Sequence, residues 1–262
     1  MPPIVSRIDH LVVPVEDPES LLSLFTEHLG LPVLWPVTNL GPFRSAGVGL
    51  GNCWIEIVAD AESLTPMYAA HLPAVFRGIA FDSPIPFHEA PGALDEAGIG
   101  HEEVYSYSGR RPDGSEGILV TTLPIDGLIA NAGVAYLCEM ALPVTRERIA
   151  ARNAKAAAQP AAVGIRGIAE IHIGVRDVAG TASRWTALAG PGDDRGWSFG
   201  NGPAVRLKES PIDGITGITV TVDSLDAAAT ALRSRGLLGP MRATGLGINH
   251  AAAHGLDIWL TE

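Results

Sequence analysis

Residues 7–30 read RIDHLVVPVEDPESLLSLFTEHLG, and this stretch decides how the rest of the chain is read. Ile8, Leu11, Val12, Val13 and Val15 form a strand-like run, because branched side chains crowd a helix but pack well on a pleated sheet. A histidine, His10, stands in the middle of that run. After Pro18, the residues Leu21, Leu22, Leu24, Phe25 and Leu29 recur at helical spacing, and Gly30 supplies a helix end. A packed histidine would say little about chemistry. A working one needs partners on neighbouring strands.

The pattern that follows is a repeat. Three short strand-like runs, LPVLWPV, FRSAGVGLG and CWIEIVAD, complete a unit of strand, helix and three strands. The same order returns in FRGIAFDS, PFHEAPGALDEAGIG, EEVYSYSG, GILVTTLPI and VAYLCEMAL. A polar, alanine-rich stretch, VTRERIAARNAKAAAQPAAVG, then reads as a short helix running into a linker at Pro160. A shortened third copy runs from GIAEIHIGVRD through VAGTASRWTALAG to the expected strands WSFGNG and PAVRLKES. A fourth holds GITGITVTVDS, LDAAATALRSRG and GLDIWLTE, with its intervening strands unplaced. Gly98 and Gly236 end corresponding helices. The organisation expected is an N-terminal pair of units over residues 1–145, a linker over 146–162 and a C-terminal pair over 163–262.

Composition narrows the function. The 262 residues carry a formal charge of −11 with a pI near 5.1, which argues against a nucleic-acid face, since phosphate binding needs clustered Lys and Arg. Every apolar run is cut well before the roughly 18 residues needed to span a bilayer, so no membrane partner is expected. MPPIVSRIDH shows no signal-peptide pattern, and a cytoplasmic protein is the expectation. Cys53 and Cys138 have no metal or redox spacing and read as core thiols. The glycine run GVGLGN lies between strands and precedes no helix, so it reads as a turn and not as a dinucleotide loop.

Four βαβββ units, with a marked residue in the middle of each first strand, resemble the vicinal oxygen chelate superfamily of glyoxalases, bleomycin-resistance proteins and extradiol dioxygenases. The resemblance implies an α+β fold in which paired units build two cupped mixed sheets, with metal ligands on the first and last strand of each unit. His10 and Glu56 then occupy the two positions of the first unit. In the second, Gly78 stands where a histidine is usual and Glu139 on the last strand supplies a carboxylate. His172 matches in the third, whereas Arg206, Gly217 and Trp259 fall at or near positions where they cannot ligate.

The implied site is a divalent metal ion held by His10, Glu56 and Glu139 in the N-terminal cup, with Glu139 also moving protons. Phe43, Trp54 and Tyr136 would line the substrate wall. The C-terminal cup is expected to bind no metal. One histidine and two glutamates favour isomerase or lyase chemistry on a small substrate with neighbouring oxygens, next to a Lewis acid. The alternatives are a metal-free drug- or metabolite-binding protein of the bleomycin-resistance kind and an extradiol-type dioxygenase. A homodimer fits any of these readings.

Overall fold

The computed structural model of the chain describes residues 2–41, 43–61, 74–110, 115–129, 133–141, 143–157, 162–193 and 196–262. His71 and most of the polar turn RRPDG lie outside the described residues.

Strand β1 (Arg7–Pro14) is buried along nearly its whole length. It leads into α1 (Pro18–Ser23), where Asp17 caps the helix by accepting from the Ser20 backbone N–H at 3.0 Å and Pro18 supplies a preset first turn. A wider turn of helix continues through His28 to Gly30, whose φ of 77° needs glycine. Strands β2 (Val33–Asn39), β3 (Arg44–Gly49) and β4 (Trp54–Ala59) finish the first unit. The second unit is β5 (Gly78–Asp82), α2 (Ala90–Glu96), β6 (Tyr105–Arg110), β7 (Glu116–Ile125) and β8 (Val134–Met140). These eight strands form one sheet in the order β2-β3-β4-β1-β5-β8-β7-β6, with β1 antiparallel to β5 at its centre.

The second sheet repeats the plan with six strands. It holds β9 (Ile165–Val175), β10 (Ala204–Glu209), β11 (Gly214–Val222), β12 (Leu238–Arg242), β13 (Gly245–Ile248) and β14 (Ile258–Thr261), in the order β10-β9-β11-β14-β13-β12. The unplaced strands of the fourth copy are β12 and β13. Helices α4 (Val178–Ala189) and α5 (Leu225–Ser234) are capped by Asp177 and Ser224. The WSFGNG run contributes only a single bridge, Trp197 to Val205. Units thus pair in chain order, first with second and third with fourth, and the two curled mixed sheets with few helices are the α+β architecture expected.

One hydrophobic core serves both sheets. It takes Leu11, Val13 and Phe81 from the first sheet, Ile171 and Ile173 from the second, and the fully buried Trp185 of α4. Trp185 stacks edge-on against Phe81 with ring centres 5.8 Å apart, and its indole N–H donates to the Leu128 carbonyl. Asn52 clasps the backbone of Ile168 through both its amide ends.

The stretch expected as a short helix running into a linker is helical as far as Ala157, and Pro160 lies outside the described residues. It forms a helix, α3 (Pro143–Ala157), packed on the first sheet. Ile149 joins Leu34 and Trp54 in a buried cluster, and the buried Asn153 side chain bonds Gly51 and Cys53. Alternation at Ile149 and Asn153, one turn apart, gives the helix a sticky face that a polar composition conceals.

Candidate functional site

Alternation along β1 sends Leu11 and Val13 to the main core and leaves His10 and Val12 on the concave face. A small apolar floor of Val12, Val58, Ala80 and Cys138 surrounds the histidine there. Burial pushes the Cys138 thiol well up, so it stays protonated and apolar.

His10 is 4% exposed and both of its ring nitrogens are occupied. Nδ1 lies 2.9 Å from Asp9 Oδ2. Nε2 lies 2.9 Å from the Tyr136 hydroxyl and 3.2 Å from Glu56 Oε2. Neighbouring residues of a regular strand point to opposite faces, so Asp9 should not reach His10. It does because the β1–β5 register shifts between Ile8 and His10, a bulge that turns Asp9 back toward the ring. Arg7 binds Asp9 at 3.2 Å and Asp82 at 2.6 Å, holding that carboxylate in place.

Burial alone would lower the His10 pKa, but the hydrogen bonds and charges of Asp9 and Glu56 outweigh it and raise the value to about 9. The ring is therefore an imidazolium at neutral pH. Glu56 is in turn fixed by Ser45, whose hydroxyl donates to Oε1 at 2.6 Å, and Ser45 accepts the Trp35 indole N–H at 3.1 Å. Trp54 stacks on His10 with ring centres 5.6 Å apart, and its indole N–H is buried with no partner among the described residues. Phe43 packs on the floor and meets Tyr107 edge-on at 6.3 Å.

His10, Glu56, Trp54, Tyr136 and Phe43 therefore converge on one cup, and Glu139 does not. Tyr136 and Cys138 face the cup, so Glu139 continues the other face, with Ala135 and Leu137, and is exposed. Strand register names its replacement. Matching Gly78 to His10, as the sequences suggest, carries Val12 onto Ala80. Val12 stands beside Glu56 across β1 and β4, and Ala80 stands beside Tyr136 across β5 and β8. Tyr136 thus occupies in β8 the place of Glu56 in β4.

In the second sheet Gly174 stands beside Lys208 just as Val12 stands beside Glu56, so Lys208, and not Arg206, holds the last-strand position. Asp9, Ser45, Trp35 and Lys208 were not anticipated. The Asp-His dipeptide was a visible signal for the first of these.

The implied divalent metal does not fit these residues. No group of three or more His, Cys, Asp or Glu side chains that could hold an ion occurs among the described residues. On the cup face His10 and Glu56 are accompanied by the Cys138 thiol, which burial keeps protonated, while the Asp9 carboxylate is taken up by His10 and Arg7. The third position is Gly78, where a Cβ would lie 2.9 Å from the Val12 Cβ, so a longer side chain has no room. Both ring nitrogens of His10 are already engaged, Nδ1 by Asp9 and Nε2 by Tyr136 and Glu56.

No family model matches the sequence, and no curated protein matches it. Solved structures do. A hypothetical protein from Staphylococcus aureus aligns with TM-score 0.62 at 9% identity over 97% of this chain and 98% of its own. An extradiol ring-cleaving dioxygenase from B. fuscum aligns with TM-score 0.61 at 14% identity over 100% of this chain and 72% of its own. A Mn(II)-bound glyoxalase from Novosphingobium aromaticivorans aligns with TM-score 0.61 at 11% identity, covering 98% and 82%. These likenesses show the fold: the chain has the vicinal oxygen chelate architecture. At such identities they carry no activity across. No described helix is long and apolar enough to cross a membrane.

Proposed function

We propose that the N-terminal cup is a metal-independent acid-base site for a small oxygenated molecule, with His10 as the acid and Glu56 as the base. One observation carries the reading: a buried histidine whose Nε2 is shared between a carboxylate 3.2 Å away and a phenol 2.9 Å away, above an apolar floor. A carbonyl oxygen that displaces the Tyr136 hydroxyl would accept the Nε2–H. Glu56 Oε2 would then take the proton from the adjacent carbon, the C–H electron pair would form the enol double bond, and His10 would pass its Nε2 proton to the oxygen. Return of a proton to another carbon or face completes an isomerisation or epimerisation. Acid-base assistance of this kind is worth about 10²–10⁴-fold. The Trp54 indole N–H is a further donor for a second oxygen on the neighbouring carbon, and Ser45 and Trp35 keep Glu56 aimed.

A second reading, a carrier that binds without turnover, is favoured by the closed state of the pair, since Tyr136 already satisfies Nε2. Both readings are tested by incubating the protein with hydroxyacetone in D2O and following loss of the α-C–H proton signals. Exchange that survives a chelator and disappears in Glu56→Gln supports proton transfer. Exchange abolished by the chelator and restored by Mn(II) overturns the metal-independent reading, and saturable binding without exchange identifies the carrier.

A further inference from the structure

The second sheet holds a cup of its own, with a cavity of about 370 Å³, inside the range of small-molecule sites. Its walls include His172, Lys208, Arg242, Thr219, Asp257 and Trp259. His172 is 9% exposed, and its Nε2 is engaged by the Thr219 hydroxyl at 2.8 Å. Its Nδ1 is buried and has no partner among the described residues. Burial, followed by the charge of Lys208, lowers its pKa, so the ring is neutral, unlike His10. Two cations reach this cavity. Lys208 occupies the place of Glu56, and neither it nor Arg242 forms an ion pair with a described residue. The Arg242 guanidinium lies 3.6 Å from the centre of the Trp259 ring, which restrains it before any ligand arrives. The acids are otherwise engaged: Glu170 binds Arg206 at 2.9 Å, and Asp257 accepts the Trp259 indole N–H at 3.0 Å.

We propose that the C-terminal cup is a second, separate binding site for a small organic carboxylate, clamped between Lys208 and Arg242 with His172 Nδ1 at its inner end. A carboxylate supplies two acceptor oxygens, one for each cation, and charge-assisted bonds of this type are about twice as strong as neutral ones. An ammonium ligand would be repelled by both cations, and a neutral one would leave Lys208 and Arg242 without an ion-pair partner among the described residues. The site does not depend on the N-terminal chemistry, because none of its residues belongs to the His10 cup.

The test uses the full-length protein titrated with benzoate and acetate, and with benzamide and acetamide as neutral matches, while the tryptophan indole N–H signals are followed by NMR. Both carboxylates should saturate a site that shifts the Trp259 indole signal, and the amides should not. Lys208→Gln and Arg242→Gln should each weaken benzoate about tenfold or more, with Lys208→Arg restoring most of the affinity. Lys208 is exposed, so its replacement does not threaten folding. The proposal is overturned if neither carboxylate binds, if the amides bind as well, if both variants keep full affinity, or if the shifts centre on Trp54.

Discussion

The chain contains two cups built on one plan, and a histidine stands at the same place in each. His10 is flanked by Asp9 and Glu56 and is held as an imidazolium, whereas His172 sits beside Lys208 and is held neutral. One side chain in one strand position is thus charged in one sheet, where Asp9 and Glu56 outweigh burial, and neutral in the other, where burial acts first and the charge of Lys208 adds to it. Strand position sets where a ring points, and the neighbouring charge sets what the ring can do. A fold-level likeness therefore carries less functional information than one cross-strand neighbour.

The comparison breaks first if the two sheets are not one folding unit. Trp185→Ala removes the side chain that joins them and should cost about 3–5 kcal/mol, with backbone amides of both sheets losing exchange protection in a single transition. Loss confined to the second sheet would make the halves independent.

The two histidines should next give stability opposite dependences on pH. Folded His10 keeps its proton up to about 9 while the unfolded imidazole releases it near 6.5. Its contribution is complete below pH 6.5 and is lost as pH rises through 9, about 3 kcal/mol for a shift of this size. His172 has a lowered folded pKa, so its contribution is present above 6.5 and is lost on acidification. Denaturant midpoints across this range should fall on the alkaline side, and His10→Gln should flatten that limb alone.

Ser45→Ala tests whether the N-terminal site is held by its support. Ser45 is fully buried, and its loss leaves the Trp35 indole and Glu56 Oε1 without it. We expect a cost of about 1–3 kcal/mol together with slower proton exchange in the hydroxyacetone assay. The smallest effect belongs to Glu139→Gln. An exposed residue on the outer face should change stability by less than about 0.5 kcal/mol and leave the exchange rate unaltered; a large loss of exchange would return Glu139 to the site.

Much of this was legible in the chain. Branched runs separated by Gly, Pro and Asn marked the first two units strand by strand, and the helix ends at Gly30 and Gly98 were read correctly. His10 and Glu56 were placed together because each lies in a run long enough to show its alternation. Glu139 was misplaced by an offset that strands do not forgive. It lies an odd number of residues from Tyr136, so accepting it as the match to Glu56 reverses the face. Arg206 and Lys208 show that even the right face leaves two candidates until pairing with β9 separates them.

The amino-acid sequence alone determined the repeat, the inward histidines and the order of strands and helices except for β12 and β13, because periodicity of side chains is a local property of each segment. Only the tertiary structure decided that a bulge brings Asp9 to His10, that Tyr136 completes the N-terminal cup, that α3 packs against Trp54, and that Lys208 takes in the second sheet the strand position that Glu56 holds in the first. Each of these depends on which residue of one strand lies beside which residue of another. That register is set by bulges and by packing between segments far apart in the chain, and it leaves no periodic trace within either segment.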